Sequence, residues 1–295
     1  MNVFKNFLSK HTILSYLIAL AISYILFSAV ILGFLDRLLF YPDHKYHQEV
    51  EESLQKIIAP FRTVKNDVFI PVQNKNRIHA WYFNKPSAKV TFLISHGNAG
   101  NICYRLQLIK TLLPYGSVLV YDYEGYGKSE GEPSRKAICE DGLAAYDYLV
   151  KQQSVKPEQL ILYGESLGCA VSCEISKSRK VGGMILQSGW TSLLNAARDK
   201  YLLLKLYPDC CFAPPYFNNI DVLAKAHPPV LLIHGQQDKI LPCRYSQELF
   251  LKACEPKQLI LLPHAAHNDI GVVDGSLYTQ GIGRFLRTYY PNACL

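Results

Sequence analysis

The chain has 295 residues, of which 49% are apolar and 19% are charged. This length allows one large buried core, and α/β folds of about 200 to 250 residues commonly form a single domain. The formal net charge is +7 without any basic run or interleaving of basic and aromatic residues, so the sequence argues against nucleic acid as a partner.

The first predicted element is a membrane anchor. After a short head at residues 1–12, residues 13–35 form an uncharged apolar run, long enough to span a hydrocarbon core of about 30 Å. The apolar region of a cleaved signal peptide is shorter, about 7 to 15 residues. We therefore expect a single-pass membrane protein in contact with lipids. The basic residues that flank the run are nearly balanced, and the orientation leans towards an exported domain.

Residues 36–60 are predicted to be a polar juxtamembrane connector, and residues 61–295 to form one α/β domain. The domain opens with an antiparallel hairpin of alternating strands, Asp67–Val72 and Arg77–Asn84. The later predicted strands are Val90–Ser95, Ser117–Asp122, Gln159–Tyr163, Gly182–Gln187, Val230–Ile233 and Gln258–Leu262. The predicted helices are Arg135–Gln152, Ser166–Ser178 and Gln280–Tyr289. This alternation predicts a mostly parallel, doubly wound sheet.

Residues 190–226 interrupt the alternation between two predicted strands. The apolar run Tyr201–Tyr207, followed by three prolines, predicts a short helix and an irregular lid. One interpretation is a cap that lines a pocket above the carboxyl ends of the strands. The other is a surface excursion that only covers the edge of the sheet.

A nucleophile elbow is indicated by Gly164-Glu165-Ser166-Leu167-Gly168, which lies between a predicted strand and a predicted helix. In such an elbow the serine occupies a strained turn that exposes its hydroxyl group above the sheet. Glycines two positions before and after the serine are needed because the strand and helix backbones crowd there. Ser166 is therefore the candidate nucleophile.

Partners for this serine follow in the order that the fold requires, which is serine, then acid, then histidine. Asp238 follows the predicted strand Val230–Ile233 and is the candidate acid. His264 and His267 both follow the next strand, and we favour His267 as the base. The carboxyl ends of parallel strands meet at one edge of a sheet, so these loops can converge.

An oxyanion hole needs two backbone N–H groups. Leu167, directly after the nucleophile, is predicted to supply one. The second is assigned to Asn98, in the loop after Val90–Ser95, with Ala99 as the alternative if the turn is shifted by one residue.

The chain resembles the membrane-anchored α/β-hydrolase-domain proteins of eukaryotes, members thirteen and seventeen in particular, and their bacterial relatives. The resemblance covers roughly residues 36–290 and is carried by residues 96–101, residues 121–131, the elbow, the Asp238 loop and residues 267–269. It implies an α/β-hydrolase fold and a serine hydrolase with Ser166, Asp238 and His267 as the triad. One branch removes palmitoyl groups from protein cysteines, so the resemblance suggests cleavage of esters or thioesters.

The expected function is a membrane-tethered serine hydrolase that acts on acyl esters or thioesters, of lipids or of acylated proteins, through an acyl-enzyme. A catalytically silent membrane adaptor and a serine peptidase remain as alternatives. No cofactor and no metal is expected, since the paired histidines have no acidic or cysteine ligands near them in sequence. The nine cysteines, odd in number and partly within apolar patterns, argue against a disulfide framework and are interpreted mostly as small buried residues.

Overall fold

The computed structural model describes residues 12–27, 39–46, 48–61, 63–209 and 217–293. A central sheet of eight strands organises this part of the chain. The strands are β1 (Val64–Pro71), β2 (Arg77–Asn84), β3 (Thr91–Ser95), β4 (Ser117–Tyr121), β5 (Leu160–Glu165), β6 (Gly183–Gln187), β7 (Val230–Gly235) and β8 (Lys257–Leu262).

The strand order is β1-β2-β4-β3-β5-β6-β7-β8. β1 and β2 pair antiparallel, as do β2 and β4, and all later pairs are parallel. The predicted doubly wound, mostly parallel sheet is confirmed. Ser95 at the end of β3 is in register with Gly164 near the end of β5. This register brings the loop after β3 beside the nucleophile elbow.

Helices cover both faces of the sheet. They are α1 (Gln48–Ile58), α2 (Leu106–Leu112), α3 (Arg135–Asp147), α4 (Leu167–Ser178), α5 (Leu193–Lys200), α6 (Asn219–Leu223), α7 (Arg244–Lys252), α8 (Ile270–Val273) and α9 (Gly275–Tyr289). One buried cluster joins the sheet to α3, α4, α6 and α7, and a second joins it to α1, α2 and α9. Successive residues of β5 belong to alternate clusters, Leu160 and Leu162 to the first, Ile161 and Tyr163 to the second. Burial on both faces explains why such strands are apolar without alternation.

Two predicted elements have different bounds or form. The helix predicted over 135–152 is α-helical only to Asp147, and a π-helical turn, Tyr148–Gln152, completes it. The connector predicted at 36–60 contains α1, which buries Leu54 and Ile58 completely or nearly so against the second cluster. Its apolar residues recur at helical spacing among charged ones, so α1 packs on the domain as an amphipathic helix.

The cap differs from its prediction in the position of its helix. The helix is α5, which begins after Ser192, whose side chain accepts a hydrogen bond from the Asn195 N–H. The run predicted as helical is instead a 3₁₀ turn at Leu202–Leu206, where the chain turns more tightly. Residues 210–216 of the cap lie outside the described residues.

The membrane anchor predicted at 13–35 is only partly described. Residues 12–27 are helical, and residues 28–38 lie outside the described residues. In the part of the chain that the structure describes, we find no helix with the length and apolar character needed to cross a membrane.

Of the described cysteines, Cys103, Cys169 and Cys173 are buried. Burial raises the pKa of the Cys139 thiol to about 12 and raises that of Cys169 further above its usual range. Cys103, Cys169 and Cys173 therefore pack as small apolar side chains, whereas Cys254 is exposed. Cys210, Cys211 and Cys294 lie outside the described residues.

Candidate active site

Ser166 lies between β5 and α4 in a backbone conformation that few L-residues adopt, with φ 53° and ψ −110°. Its N–H donates to the Gln187 carbonyl oxygen at 2.8 Å, which holds the turn against β6. A Cβ atom on Gly168 would lie 1.8 Å from the Ser95 carbonyl oxygen, and one on Gly164 would lie 2.5 Å from the Gly168 carbonyl oxygen. The two glycines are therefore steric requirements of the elbow.

A continuous hydrogen-bonded chain joins the three residues predicted as the triad. The Ser166 hydroxyl lies 3.1 Å from His267 Nε2, and His267 Nδ1 lies 2.6 Å from Asp238 Oδ2. Because an ionised carboxylate only accepts, His267 Nδ1 carries the proton and Nε2 is left to accept from Ser166. This is the arrangement that activates a serine hydroxyl towards a carbonyl carbon.

Asp238 is surrounded by hydrogen-bond donors. Besides His267, its carboxylate accepts from the N–H groups of Ile240 and Leu241, both at 2.8 Å, and lies 3.2 Å from His234 Nε2. Burial acts to raise the pKa of Asp238, but the hydrogen bonds from His234 and His267 outweigh it and hold the pKa well below its usual range. Asp238 is therefore ionised under the conditions in which His267 acts as a base.

The two histidines considered for the base occupy different surroundings. His264 has a side chain 76% exposed and pairs with Asp274 at 3.1 Å, outside the cavity that contains Ser166. The structure brings His267, and not His264, to the serine.

The loop after β3 carries the predicted second oxyanion donor. The Asn98 carbonyl oxygen accepts from the Tyr126 hydroxyl at 2.8 Å and the Tyr41 N–H at 2.9 Å, and the Asn98 side chain donates to the Leu39 carbonyl oxygen. A Cβ atom on the preceding residue, Gly97, would lie only 3.7 Å from the Ser166 Cβ. Leu167 directly follows the serine, and Asn98 lines the cavity that contains Ser166. The assignment of the Asn98 and Leu167 N–H groups as oxyanion donors stays a prediction.

A buried polar network supports this loop. The Asp122 carboxylate accepts from the Ile102 N–H at 2.8 Å and lies 3.6 Å from His96 Nε2. Burial, reinforced by the nearby Arg105 guanidinium, lowers the pKa of His96 to about 3. His96 is therefore neutral at pH 7, and its Nδ1 lies 2.7 Å from the Gly97 carbonyl oxygen.

Sequence reasoning missed an ion pair beside the nucleophile. Arg105 Nε lies 3.1 Å from the Glu165 carboxylate, and its Nη2 donates to the Ala99 carbonyl oxygen at 3.0 Å. Both charged side chains are largely buried and line the cavity. Glu165 directly precedes Ser166, so its position was visible in the elbow motif. No sequence signal connected Arg105 to it.

A cavity of about 720 Å³ opens above Ser166 and His267. The cap contributes Trp190, Leu193 and Ala197 to its wall, and Ile240 and Ile270 also line it. The interpretation of residues 190–226 as a pocket-lining cap is therefore the one that the structure supports. Within the described residues, no group of three or more histidine, cysteine, aspartate or glutamate side chains is placed to hold a metal ion.

Comparisons with known proteins agree with this architecture. A protein of Mycobacterium tuberculosis, itself uncharacterized, is 35% identical over 230 residues, which cover 75% of this chain and 78% of that protein. The human α/β-hydrolase domain-containing protein 17B is 33% identical over 219 residues, covering 71% of this chain and 69% of that protein. No protein-family model matches the chain.

The solved structure of an esterase from Pyrococcus furiosus superposes with a TM-score of 0.68 at 19% identity, covering 85% of this chain and 98% of the esterase. At this identity the likeness shows a shared fold. The sequence relatives show more than a shared fold, since this chain matches most of their length at over 30% identity. The chain belongs to the family of α/β-hydrolase domain-containing proteins.

Proposed function

We propose that the protein is a serine hydrolase that cleaves acyl esters or thioesters through a covalent acyl-enzyme. The observation that carries the proposal is the hydrogen-bonded chain from Ser166 through His267 to Asp238, with Ser166 and His267 facing a cavity. Membership of a hydrolase family supports the same reaction class. A silent adaptor would have no need to keep a buried, ionised Asp238 aligned with His267, so the geometry favours an enzyme.

In this mechanism, Ser166 Oγ attacks the acyl carbonyl carbon while its proton passes to His267 Nε2. The negative charge that develops on the carbonyl oxygen is stabilised by the N–H groups of Leu167 and of Asn98 or Ala99. His267 then protonates the departing alcohol or thiol as its bond to the acyl carbon breaks. Water, deprotonated by His267, attacks the acyl-enzyme, and the carboxylic acid leaves as Ser166 recovers its proton.

The cavity wall supports an acyl substrate. Its cap side is formed largely by apolar side chains, and the buried ion pair Arg105–Glu165 is internally compensated. A hydrocarbon chain fits such a lining, because its transfer from water is favourable by about 0.8 kcal/mol for each buried CH₂ group. A peptide backbone would need hydrogen-bonding partners along the same wall, which makes a peptidase the weaker candidate.

The direct test is labelling with a fluorophosphonate probe. Ser166→Ala should abolish labelling and ester hydrolysis and leave the melting temperature nearly unchanged, because a hydroxyl group contributes little packing. Ser176→Ala, in α4 but outside the cavity, is the matched control and should label as the parent does. Continued labelling of Ser166→Ala would refute the assignment. Hydrolysis of esters, thioesters and a peptide amide of graded acyl length would then define the substrate class.

We further propose that residues 13–35 tether the enzyme to a membrane, with the catalytic domain on the exported side. Deleting residues 1–35 should preserve turnover of short soluble esters, since every triad and oxyanion residue lies after residue 90. The same deletion should reduce turnover of bilayer-resident substrates, because tethering raises the local enzyme concentration at the membrane. Equal loss on both substrates would contradict a pure tether and indicate that the segment supports the fold.

A further inference from the structure

The mouth of the active-site cavity is bordered by large apolar side chains that face solvent. Of the residues that line the cavity, Tyr201, Ile240 and Val272 are 41%, 61% and 76% exposed. They come from the cap, from the loop after β7 and from α8, and all three line the same cavity. Contiguous exposed apolar surface of this kind marks an interaction site.

The 3₁₀ turn of the cap continues this surface. Leu204 and Tyr207 are buried, whereas Leu202 and Leu206 are 70% and 72% exposed. The turn therefore exposes two leucine side chains to solvent. We call the set Tyr201, Leu202, Leu206, Ile240 and Val272 the apolar rim.

The helix at residues 12–27 lies directly against this turn. The Tyr24 ring stacks on the Tyr207 ring with centroids 4.2 Å apart and planes 11° apart, and the Tyr24 hydroxyl donates to the Leu206 carbonyl oxygen at 3.4 Å. Large exposed apolar side chains occur along the whole helix: Ile13, Leu14, Leu17, Ile18, Leu20, Ile22, Ile25, Leu26 and Phe27. A helix that is apolar all round is stable only where a nonaqueous environment covers it. The stacking contact places the apolar rim beside the helix at residues 12–27, whose exposed apolar side chains require a nonaqueous environment.

Lysine side chains next to the apolar rim indicate which nonaqueous environment contacts it. Lys200, Lys205 and Lys239 are exposed, and each is adjacent in sequence to a rim residue. Lys205 shares the Asp199 carboxylate with Arg244, and Lys200 lies 5.6 Å from the Tyr201 ring centroid. Apolar side chains flanked by lysines are the composition of a surface that enters a bilayer with anionic headgroups. A protein partner with an apolar face would cover the apolar rim but would leave the exposed apolar side chains along residues 12–27 in water.

We propose that the apolar rim docks into the surface of a lipid bilayer, with Leu202 and Leu206 among the acyl chains. An acyl chain then passes from the bilayer into the cavity and reaches Ser166 without crossing water. The inference rests on the proposed function for its substrate, and it adds the surface and the route by which that substrate enters. It also gives residues 12–27 a second role, which is to hold the cap turn at the membrane.

The first experiment detects docking without using catalysis. The full chain is reconstituted in vesicles of phosphatidylcholine and phosphatidylglycerol that contain a phosphatidylcholine with a diazirine in its acyl chain. After photolysis, mass spectrometry should find lipid adducts on peptides that contain Leu202, Leu206 and Ile240, and none on Leu251, which is 77% exposed but lies on α7 away from the cavity. Adducts confined to residues 1–35 would overturn the proposal, as would cross-links between two copies of the chain at the apolar rim.

The second experiment tests whether the acyl substrate enters the cavity from the bilayer. The double variant Leu202→Ser and Leu206→Ser should lose about tenfold or more in turnover of a bilayer-resident acyl ester, because two side chains leave the acyl region. Its turnover of a short soluble ester should stay within about twofold, because neither side chain lines the cavity. Leu251→Ser and Val64→Ser, at 77% and 67% exposure, are controls that should change neither rate.

The two proposals fail in distinguishable ways. Lipid adducts at the apolar rim in a chain that hydrolyses no ester would refute the proposed function and keep the docking surface. Normal hydrolysis of soluble esters, with the double variant matching its controls on bilayer substrates, would refute the docking surface and keep the hydrolase.

Discussion

Replacing Asp238 with asparagine tests the central hydrogen-bonded chain without changing its shape. Both carboxylate oxygens of Asp238 face donors only: the N–H groups of Ile240 and Leu241, and the ring nitrogens of His267 and His234. Asparagine replaces one of these accepting oxygens with an NH₂ group, which only donates. In either orientation of the amide, the NH₂ group therefore faces another donor. Asp238→Asn therefore creates a donor–donor conflict that rotation cannot remove.

The size of the loss in kcat depends on whether the backbone N–H groups or the histidines adjust to the new NH₂ group. The N–H groups of Ile240 and Leu241 are fixed by the backbone at 2.8 Å, whereas His267 can move its proton from Nδ1 to Nε2 with no displacement of atoms. The lower-cost solution turns the amide nitrogen to the histidines and leaves His267 with a proton on the nitrogen that faces Ser166. A base in the wrong tautomer costs about 10⁴-fold in kcat. The conflict also costs about 1–3 kcal/mol in the free energy of unfolding, as for a buried polar group left without its partner.

The assay combines kcat on a soluble ester with the rate of fluorophosphonate labelling, and Asp274→Asn provides the matched control. Asp274 accepts from the N–H groups of His264 and Ala265 and pairs with the His264 ring, an arrangement like that of Asp238 but remote from the serine. The control should lose stability and keep kcat. Activity of Asp238→Asn within tenfold of the parent, or an equal loss in Asp274→Asn, would refute the reasoning.

Acid should remove the stability that Asp238 contributes. Since its folded-state pKa is depressed, the contribution is complete above the unfolded-state pKa of about 4 and is lost as pH falls through the lower folded-state value. The difference in unfolding free energy between the parent and Asp238→Asn should therefore close only in strong acid. Chemical denaturation across that pH range measures it, and a gap that closes near neutrality would contradict the assignment.

Three further outcomes are expected. His267→Ala should lower kcat by several orders of magnitude and His264→Ala by about tenfold or less, because only His267 reaches the nucleophile; the reverse ranking in ester hydrolysis would move the base. Gly168→Ala should cost at least about 1–3 kcal/mol in unfolding free energy, because its Cβ would overlap a backbone carbonyl of β3, whereas Gly275→Ala, with open space around it, should cost nothing measurable by denaturation. Burial raises the pKa of Asp141 well above its usual range, so its contribution to stability should fall as pH rises above about 4, and Asp141→Asn should remove that part of the slope; parallel pH profiles of parent and variant would contradict it.

Several features could be predicted from the sequence because they depend on local pattern and order. Strands such as β5 are short apolar runs that end in turn residues, and the elbow glycines are needed wherever a strand turns sharply into a helix. Serine, acid and histidine each follow a strand, and parallel strands place their carboxyl ends together. The convergence of Ser166, Asp238 and His267 was therefore predictable without coordinates.

Helix α1 was predictable in principle but was missed. Its apolar residues, including Leu54 and Ile58, recur at helical spacing, yet its many charges indicated a connector. The position of the cap helix was missed for a related reason, since the apolar run at 201–207 outweighed the capping signal of Ser192. In both cases local composition and helical periodicity disagreed, and packing against the domain decided the outcome.

Only the tertiary structure could bring together residues that have no shared motif. The Arg105–Glu165 ion pair and the stacking of Tyr24 on Tyr207 join residues that are 60 and 183 positions apart. Pattern in a sequence reports which face of an element is buried, because burial is governed by the periodicity of helix and strand. It does not report which buried or exposed faces meet, because that depends on the register of the sheet and on how the cap folds over it.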